Sequence, residues 1–325
     1  MDCFAPYQRA FESALQTLRL PKTPEGLYDP IRYILSLDAK RLRPSLLLAA
    51  CRACKGNLEE AYSAALAVEL FHNFTLIHDD IMDEAPLRRG KPTVHHKWNL
   101  NTGILSGDAM LIVAYQQFES YAPELHASLL QLFNKTSLEV CEGQEYDVAF
   151  ETMTSVSEEA YLKMIQYKTA VLVAAALKMG ALIAQSSEEV ASLLYDFGMA
   201  LGTAFQIQDD YLDAFGDAAS FGKQVGGDIK ENKKTYLVIK LQELGNQEQQ
   251  KALSHWFEVN DTDQQTEKVN AVKQLFQESG AADATRNAVK EYTLQSQNIL
   301  DRLEEKQVNT TDLKAFSEAL LVRSL

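Results

Sequence analysis

The sequence has little cysteine and no cysteine framework. Its 325 residues include only four cysteines, too few for a disulfide-stabilised fold in a chain of this length. Cys51 and Cys54 form one Cys-x-x-Cys pair, but a zinc site built on such pairs needs a second one. We therefore expect both to be small core residues on a helix rather than metal or redox groups, and we expect a cytoplasmic protein.

Positive charge and long apolar runs are also scarce. The formal net charge is −14, which argues against a general nucleic-acid-binding protein, because such proteins need a basic face. The longest apolar stretch, residues 170–184, is interrupted by Lys178 and is shorter than a membrane span, so it predicts a buried helix. The N-terminal residues lack the pattern of a secretory signal. We expect no membrane span and no nucleic-acid partner.

The alternation of period two that marks strands is missing as well. Residues 61–83, 187–213 and 311–325 instead carry apolar residues at steps of three and four, the helical period. The segments rich in Gly and Pro are too short for domain linkers, and the polar stretch 244–268 is expected to be a surface helical hairpin. The sequence thus predicts an all-α chain, with a single domain over residues 1–325 and roughly a dozen helices.

Two Asp-Asp-x-x-Asp motifs stand at the ends of two of these helices. By chance, one such motif is expected in about 7% of chains of this length and two in a few per thousand. Carboxylates are disfavoured at a helix C-terminus, where the dipole is negative, so a solvated acidic end is a weaker interpretation than a magnesium site. The six residues are Asp79, Asp80, Asp83, Asp209, Asp210 and Asp213.

Basic side chains alternate with these motifs along the acidic chain. Taken singly, each is most simply a surface residue, but Arg and Lys are the expected partners of phosphate oxygens. Together with the acidic motifs, they predict two anionic groups, one held through metal and one held directly by cations. The basic groups are Lys40, Arg41 and Arg43; Arg88 and Arg89; Lys168; and Lys223, Lys230, Lys233 and Lys234.

Six segments in order resemble the polyprenyl synthetase family, the trans-isoprenyl diphosphate synthases, and in particular its short-chain farnesyl and geranylgeranyl members. They span residues 40–235 and read KRLRP, HNFTLIHDDIMDEAPLRRGKPT, ILSGDAML, YKTA, FQIQDDYLD and GKQVGGDIKENKKT. Ala39 and Asn232 stand where the family commonly has glycine, and neither change removes a charged group.

The resemblance implies a helical bundle of the isoprenoid synthase type around a deep central cavity, usually a homodimer, with the two aspartate helices facing each other. It implies that the six aspartates hold up to three Mg²⁺, and that isopentenyl diphosphate is condensed with an allylic diphosphate (dimethylallyl, geranyl or farnesyl). For the allylic substrate it implies contacts from Arg88, Lys168, Thr169, Gln206, Lys223 and Lys233, of which Lys168, Thr169 and Gln206 would also stabilise the allylic cation. For isopentenyl diphosphate it implies Lys40, Arg43, His72 and Arg89.

Product length is predicted from an aromatic residue on the first aspartate helix. Phe74 lies five residues before Asp79, about 7.5 Å along a helix, where the resemblance implies a tunnel floor in short-product enzymes. Phe71 could share this role, and both could be ordinary core aromatics. The two-residue gap in DDIMD differs from the four-residue gap of common bacterial farnesyl synthases. We expect a C20 product, with C15 as the close alternative.

Three other functions fit parts of the sequence. A class I terpene cyclase also carries an aspartate-rich helix, but it has no need of a second diphosphate pocket. A His/Asp metal phosphohydrolase would need further metal-binding histidines, and the six present offer no clear set. A non-catalytic regulatory subunit of a prenyl synthase often loses an aspartate motif, and both motifs are intact here.

Overall fold

The computed structural model of the chain describes residues 4–216, 226–259 and 261–321. Helices account for most of these residues, and the two strands are two residues each. The predicted all-α fold is therefore confirmed. Lys223, one of the predicted substrate contacts, lies outside the described residues.

The helices of the described residues are numbered in chain order. They are α1 (Ala5–Thr17), α2 (Glu25–Ser36), α3 (Leu42–Ala53), α4 (Leu58–Met82), α5 (Val94–Lys97), α6 (Leu100–Gln116), α7 (Pro123–Thr152), α8 (Glu158–Ile165), α9 (Val171–Ile183), α10 (Glu188–Phe215), α11 (Gly227–Lys230), α12 (Tyr236–Leu244), α13 (Gln247–Glu258), α14 (Gln265–Glu278), α15 (Ala281–Glu305) and α16 (Thr311–Leu321). A π-helix (Gln166–Ala170) joins α8 to α9, and a 3₁₀ turn (Thr262–Gln264) precedes α14.

The chain divides into two compact units. The first consists of Met1–Asn134 and Ala175–Leu194, and the second consists of Lys135–Ala174 and Tyr195–Leu325. Neither unit is one continuous segment, because the chain leaves the first unit and returns to it. The prediction of one synthase domain over residues 1–325 stays a prediction.

The first unit is organised around α4. Helix α4 packs against α3 and α6, and α6 also packs against α2 and α5. Helix α3 is buried on every side from Pro44 to Cys51, as expected for a helix at the centre of a core. Cys51 is fully buried and Cys54 is half-buried, which agrees with their predicted role as small packing residues.

Local signals set the ends of α4. The Asn57 side chain accepts the N–H of Glu59 (3.1 Å) and so caps the first turn. Glu59 and Glu60 add negative charge where the helix dipole is positive. At the other end Glu84 has a φ of +49°, a left-handed conformation that cannot continue the helix.

The second unit has two apolar clusters that share α12. Leu237 and Leu241 pack in one cluster with Phe276 of α14. Tyr236 packs in the other with Tyr161 of α8. Helix α12 also contacts α15. Successive residues of this short helix therefore tie α8, α14 and α15 together.

The predicted helices are found close to their expected bounds. Residues 61–83 lie in α4 and its C-terminal cap, and residues 187–213 lie in α10 and the residue before it. Residues 170–184 contain the largely buried α9. Residues 311–321 form α16, and residues 322–325 lie outside the described residues. Residues 244–268 form α13 and the start of α14, which agrees with a helical hairpin. By length and composition, α10 alone among the described helices could cross a membrane, but 67% of its apolar window is buried, as in a core helix.

The all-α chain contains one short β-hairpin that hydrophobic periodicity did not predict. Leu87–Arg88 and Lys91–Pro92 form a two-stranded antiparallel hairpin. Two-residue strands cannot display an alternating pattern, so hydrophobic periodicity could not reveal them. The glycine-containing turn between them was the available signal.

Candidate active site

The first aspartate motif lies at the C-terminal end of α4. Asp79 and Asp80 are in the last turn, and Asp83 caps the helix with its N–H donating to the Asp79 carbonyl (2.8 Å). Asp80 is 1% exposed, whereas Asp79 is half-buried and Asp83 is exposed. Because the helix dipole disfavours carboxylates here, positive groups are needed nearby.

The hairpin places one such group, Arg88, against Asp80. Arg89 and Gly90 form its turn with φ values of +53° and +72°, a conformation that glycine adopts without a Cβ clash. Arg88 Nε donates to Asp80 Oδ1 at 2.8 Å, and Arg88 Nη2 lies 2.5 Å from the same oxygen. Burial raises the pKa of Asp80, and Arg88 opposes that rise. The second oxygen, Oδ2, is buried without a hydrogen-bond partner in the described part of the chain.

Contacts on both sides fix the hairpin. The Thr93 hydroxyl donates to the carbonyl of Ala85 (2.8 Å), which closes the base of the hairpin. The hydroxyl of Tyr33, from α2, donates to the carbonyl of Pro92 (2.7 Å). Sequence reasoning missed these residues, because only the fold brings α2 beside the second strand.

Arg43 and His72 form a second group of predicted residues in the first unit. Arg43 Nη1 lies 3.2 Å from His72 Nε2. Desolvation, followed by the charges of Arg43 and Arg89, lowers the pKa of His72 well below its ordinary value, so the imidazole is neutral near pH 7. A guanidinium can only donate, so His72 Nε2 is the acceptor and Nδ1 carries the proton. Lys40, in the loop before α3, is exposed.

Phe71 and Phe74 occupy different environments on α4. Phe71 is 0% exposed and packs against Phe133 of α7, with ring centroids 5.3 Å apart. Phe74 is half-buried and packs edge-on against the His78 ring at 4.8 Å. Phe71 thus has the surroundings of a core aromatic, and Phe74 keeps an accessible surface.

The second aspartate motif lies near the C-terminal end of α10, in the second unit. Asp210, 6% exposed, accepts hydrogen bonds from the Tyr161 hydroxyl and from the backbone N–H of Tyr236 (2.9 Å). Burial and then the charge of Asp228 raise the pKa of Asp210 to about 8, while these two hydrogen bonds oppose the rise. Sequence reasoning missed both tyrosines, which no local motif connects to the aspartates.

The other two aspartates of this motif have different surroundings. Asp213 Oδ2 accepts the N–H of Asp228 at the start of α11 (3.0 Å), and the Asp213 carbonyl accepts the N–H of Gly226 (2.6 Å). Asp209 is half-buried. These bonds fix the beginning of α11 beside the second motif.

Lys168 and Thr169 lie on the π-helix, a rare element that often occurs at functional sites. Gly143 of α7 permits the close approach, since a Cβ there would stand 2.3 Å from the Lys168 backbone nitrogen. Lys168 Nζ pairs with Asp147 at 2.5 Å. The Thr169 hydroxyl donates to Gln206 Oε1 at 3.2 Å, so two predicted residues are brought together.

Lys233 follows a residue in the left-handed region. Asn232 has a φ of +58°, which explains why glycine suits this position in the family. Its side-chain oxygen accepts a hydrogen bond from Lys268 Nζ at 2.6 Å. Although burial lowers the pKa of Lys233, Glu231 (2.9 Å) and Asp228 (3.7 Å) together raise it above its ordinary value. Lys233 is therefore a fixed positive charge.

The donor chemistry of both motifs fits magnesium. Carboxylate oxygens are the ligands that Mg²⁺ prefers, usually completed by water and substrate phosphates. Across the described ranges, no three His, Cys, Asp or Glu side chains are grouped closely enough to hold a metal ion by themselves.

Comparison with known proteins agrees with this chemistry. The chain is 39% identical to the geranylgeranyl diphosphate synthase of Methanosarcina mazei, over 90% of this chain and 89% of that protein. It is 35% identical to the geranylfarnesyl diphosphate synthase of Natronomonas pharaonis, over 93% and 91%. A crystal structure of a geranylgeranyl pyrophosphate synthase is 47% identical, with a TM-score of 0.89, and the match covers 98% of this chain and 97% of that one.

The pattern of one protein family also matches most of the sequence. The family is described as polyprenyl synthetase, and the match covers residues 24–276. The chain therefore belongs to the polyprenyl synthetase family of trans-isoprenyl diphosphate synthases, and the resemblance drawn from its motifs is confirmed.

Proposed function

We propose that the chain is a magnesium-dependent prenyltransferase that condenses isopentenyl diphosphate with an allylic diphosphate to give a C20 trans-prenyl diphosphate. One observation carries the proposal: each unit combines a carboxylate-bearing helix end with basic side chains of its own. Arg88 pairs with Asp80 in the first unit, and Lys233 lies beside Asp228, which contacts Asp213, in the second. Carboxylates that bind metal and cations that bind phosphate are what two diphosphate substrates require.

Isopentenyl diphosphate is assigned to the group of Lys40, Arg43, His72 and Arg89. The neutral His72 accepts from Arg43 and so orients the guanidinium, while its Nδ1–H can donate to a phosphate oxygen. The arginines supply forked donors that match phosphate geometry. The allylic diphosphate is assigned to Arg88, Lys168, Thr169, Gln206, Lys223 and Lys233, together with the metal.

All six aspartates are proposed as ligands of up to three Mg²⁺. Donors of the protein orient several of them: Asp80 accepts from Arg88, Asp210 accepts from the N–H of Tyr236, and Asp213 accepts from the N–H of Asp228. When bound, magnesium would supply Lewis-acid assistance to the departure of diphosphate.

Polar side chains of the protein would stabilise the allylic cation through their dipoles. Thr169 and Gln206 are hydrogen-bonded to each other at 3.2 Å, and their oxygens can stabilise a positive charge that develops on the allylic carbon. The condensation needs no protein nucleophile, because the double bond of isopentenyl diphosphate attacks the allylic carbon. A proton is then lost, with the released diphosphate as the proposed acceptor.

A C20 product is supported by the relatives and by Phe74. Two of the similar proteins are described as geranylgeranyl synthases, and one is described as a geranylfarnesyl synthase. Phe74, half-buried and about one and a half turns before Asp79 and Asp80 on α4, is our candidate for the residue that limits chain growth.

A homodimer is proposed from an apolar stripe on α6. Ile104, Leu105 and Ile112 are 40%, 59% and 59% exposed, and their spacing places them on one side of the helix. An apolar helix face of this kind is typical of a protein interface, and a second copy of the chain would cover it. The thiols of Cys51 and Cys54, neither of which is in a disulfide, suit the reducing cytoplasm proposed as its compartment.

The test is a condensation assay with product chromatography. Purified chain is incubated with Mg²⁺, labelled isopentenyl diphosphate and dimethylallyl, geranyl or farnesyl diphosphate in turn. Asp209→Asn should abolish most product, whereas Asp196→Asn, the same change at an exposed site on α10, should not. No elongation with any primer would overturn the proposal.

Two other results would identify the rival functions. Product made from an allylic diphosphate without isopentenyl diphosphate would indicate a cyclase. Activity that arises only when a separate synthase is added would indicate a regulatory subunit. Either result would replace the proposed function.

A further inference from the structure

Helix α4 carries one carboxylate in the middle of its apolar length. Glu69 is 2% exposed, among alanine, valine and leucine neighbours that are buried as well. A carboxylate is buried at a large cost unless it is paired and hydrogen-bonded. The condensation as proposed does not use Glu69, so its place in the core needs another explanation.

Two buried side chains bind the Glu69 carboxylate. Arg41 Nη1 lies 2.5 Å from Glu69 Oε1, and Asn73 Nδ2 donates to the same oxygen at 2.9 Å. Arg41 is 6% exposed and Asn73 is 0% exposed. The three residues form a buried polar network that links the start of α3 to the middle of α4.

The other nitrogen of Arg41 fixes the loop before α3. Arg41 Nη2 donates to the carbonyls of Leu35 and Leu37 (3.3 Å for the latter). Arg41 itself has a φ of +48°, an uncommon conformation for a residue with a side chain, and persistence of such a conformation requires support from its surroundings. The guanidinium thus ties Leu35 and Leu37, at the end of α2, to the loop that carries Lys40 and leads into α3.

The network also borders the proposed isopentenyl diphosphate residues on α4, since Asn73 is the neighbour of His72. The Glu69 charge also acts on two further arginines, Arg43 and Arg89. Desolvation lowers the pKa of both guanidinium groups, and the Glu69 carboxylate opposes both shifts. Glu69 is therefore the negative charge that faces several arginines at once.

We propose that Glu69 is a positioning residue for isopentenyl diphosphate, which acts through Arg41 and Asn73 to hold Lys40, Arg43 and His72 in place. As the shared counter-ion it also keeps like-charged arginines together before the diphosphate arrives. This inference rests on the proposed function of the same residues. Glu69 does not touch the substrate, so its effect is on binding of one substrate and not on the chemical step.

The test is Glu69→Gln, which keeps the shape and the acceptor oxygen but removes the charge. We expect the KM for isopentenyl diphosphate to rise at least about tenfold, since a charge-assisted bond is roughly twice as strong as a neutral one. The KM for the allylic diphosphate and the kcat should change less than about threefold. Glu60→Gln, the same change at an exposed site on α4, is the matched control and should leave all three values unchanged.

A second variant keeps the inference testable if Glu69→Gln folds poorly. Arg41→Lys retains the positive charge but loses the fork that bonds Glu69, Leu35 and Leu37, and it should raise the same KM. The double variant Arg41→Lys/Glu69→Gln should raise it less than the product of the single effects, because residues of one network are not additive. Calorimetric titration with isopentenyl diphosphate alone should show the same weakening.

Two outcomes would overturn the inference. One is an unchanged affinity for isopentenyl diphosphate in both variants. The other is an equal loss for both substrates, which would mean a general structural role. If the native chain bound isopentenyl diphosphate but formed no product, the proposed function would fail while titration of the variants still decided the role of Glu69.

Discussion

The hydrogen bond between Tyr161 and Asp210 offers a sharp test of how the second aspartate motif is held. Tyr161 is 2% exposed and Asp210 is 6% exposed, and the phenol donates to Asp210 Oδ2. Burial and the adjacent Asp210 charge raise the pKa of Tyr161 well above its ordinary value, so the hydroxyl keeps its proton and remains the donor. Tyr161→Phe removes that one oxygen and leaves the ring packing intact.

The expected loss of stability depends on the hydrogen bonds that Asp210 keeps in the Tyr161→Phe variant. The N–H of Tyr236 still donates at 2.9 Å, but a buried acceptor that loses one donor costs about 1–3 kcal/mol of stability. We expect Tyr161→Phe to lower the free energy of unfolding by about 2 kcal/mol. For a cooperative unit of about 150–250 residues, this corresponds to a fall in Tm of roughly 4–8 °C.

Differential scanning calorimetry of the metal-free protein measures this effect. Tyr115→Phe is the control, because the Tyr115 hydroxyl donates to the neutral side chain of Asn134 at an exposed site (2.8 Å), where the same deletion should cost less than about 1 kcal/mol. The reasoning that the phenol supports Asp210 would be refuted if the Tm of Tyr161→Phe lay within about 1–2 °C of the Tm of the control. A difference that small corresponds to less than about 1 kcal/mol.

Three further predictions follow from the first unit. Phe74→Ala should shift the product to longer chains by chromatography, and an unchanged length would exclude Phe74 as the floor. Phe71→Ala should instead lower stability by about 3–5 kcal/mol in thermal or denaturant unfolding, because a fully buried ring is removed; longer products at native stability would contradict this. Asp79→Ala should lower turnover at least about a thousandfold, roughly 4 kcal/mol of barrier, and near-normal turnover would remove the metal assignment.

The helices could be predicted from the sequence because their signals are local. The apolar period of α4 and α10, the N-cap of α4 and the acidic first turns all lie in or directly before the helix concerned, so the start of each helix does not depend on a distant segment. The hairpin that carries Arg88 gave no such signal. Its two-residue strands are too short for a pattern, and contacts such as Tyr33 to Pro92 appear only in the fold.

The residues of the candidate site likewise include some that the sequence predicted and some that it did not. The aspartates could be proposed because they repeat at a fixed spacing, and Arg88 and Lys233 could be proposed because the segments around them resemble those of the polyprenyl synthetase family. Tyr161 could not, since 49 positions separate it from Asp210. The π-helix at Lys168 also escaped prediction, because hydrophobic periodicity does not distinguish a five-residue π-helix from the α-helices on either side of it.

Glu69 shows why composition alone misleads about which charges matter. In the sequence it is one acidic residue of 45, and in an apolar helical stretch it could be taken for a solvent-facing interruption. The structure places it inward, at 2% exposure, against Arg41, a residue that the motif KRLRP offers as one more phosphate ligand. A buried ion pair of this kind contributes little net stability, because desolvation of both ions offsets their attraction. We therefore propose that its role is geometric: Arg41 and Glu69, which do not contact the substrate in this proposal, place Lys40 and Arg43, the cations proposed to bind it.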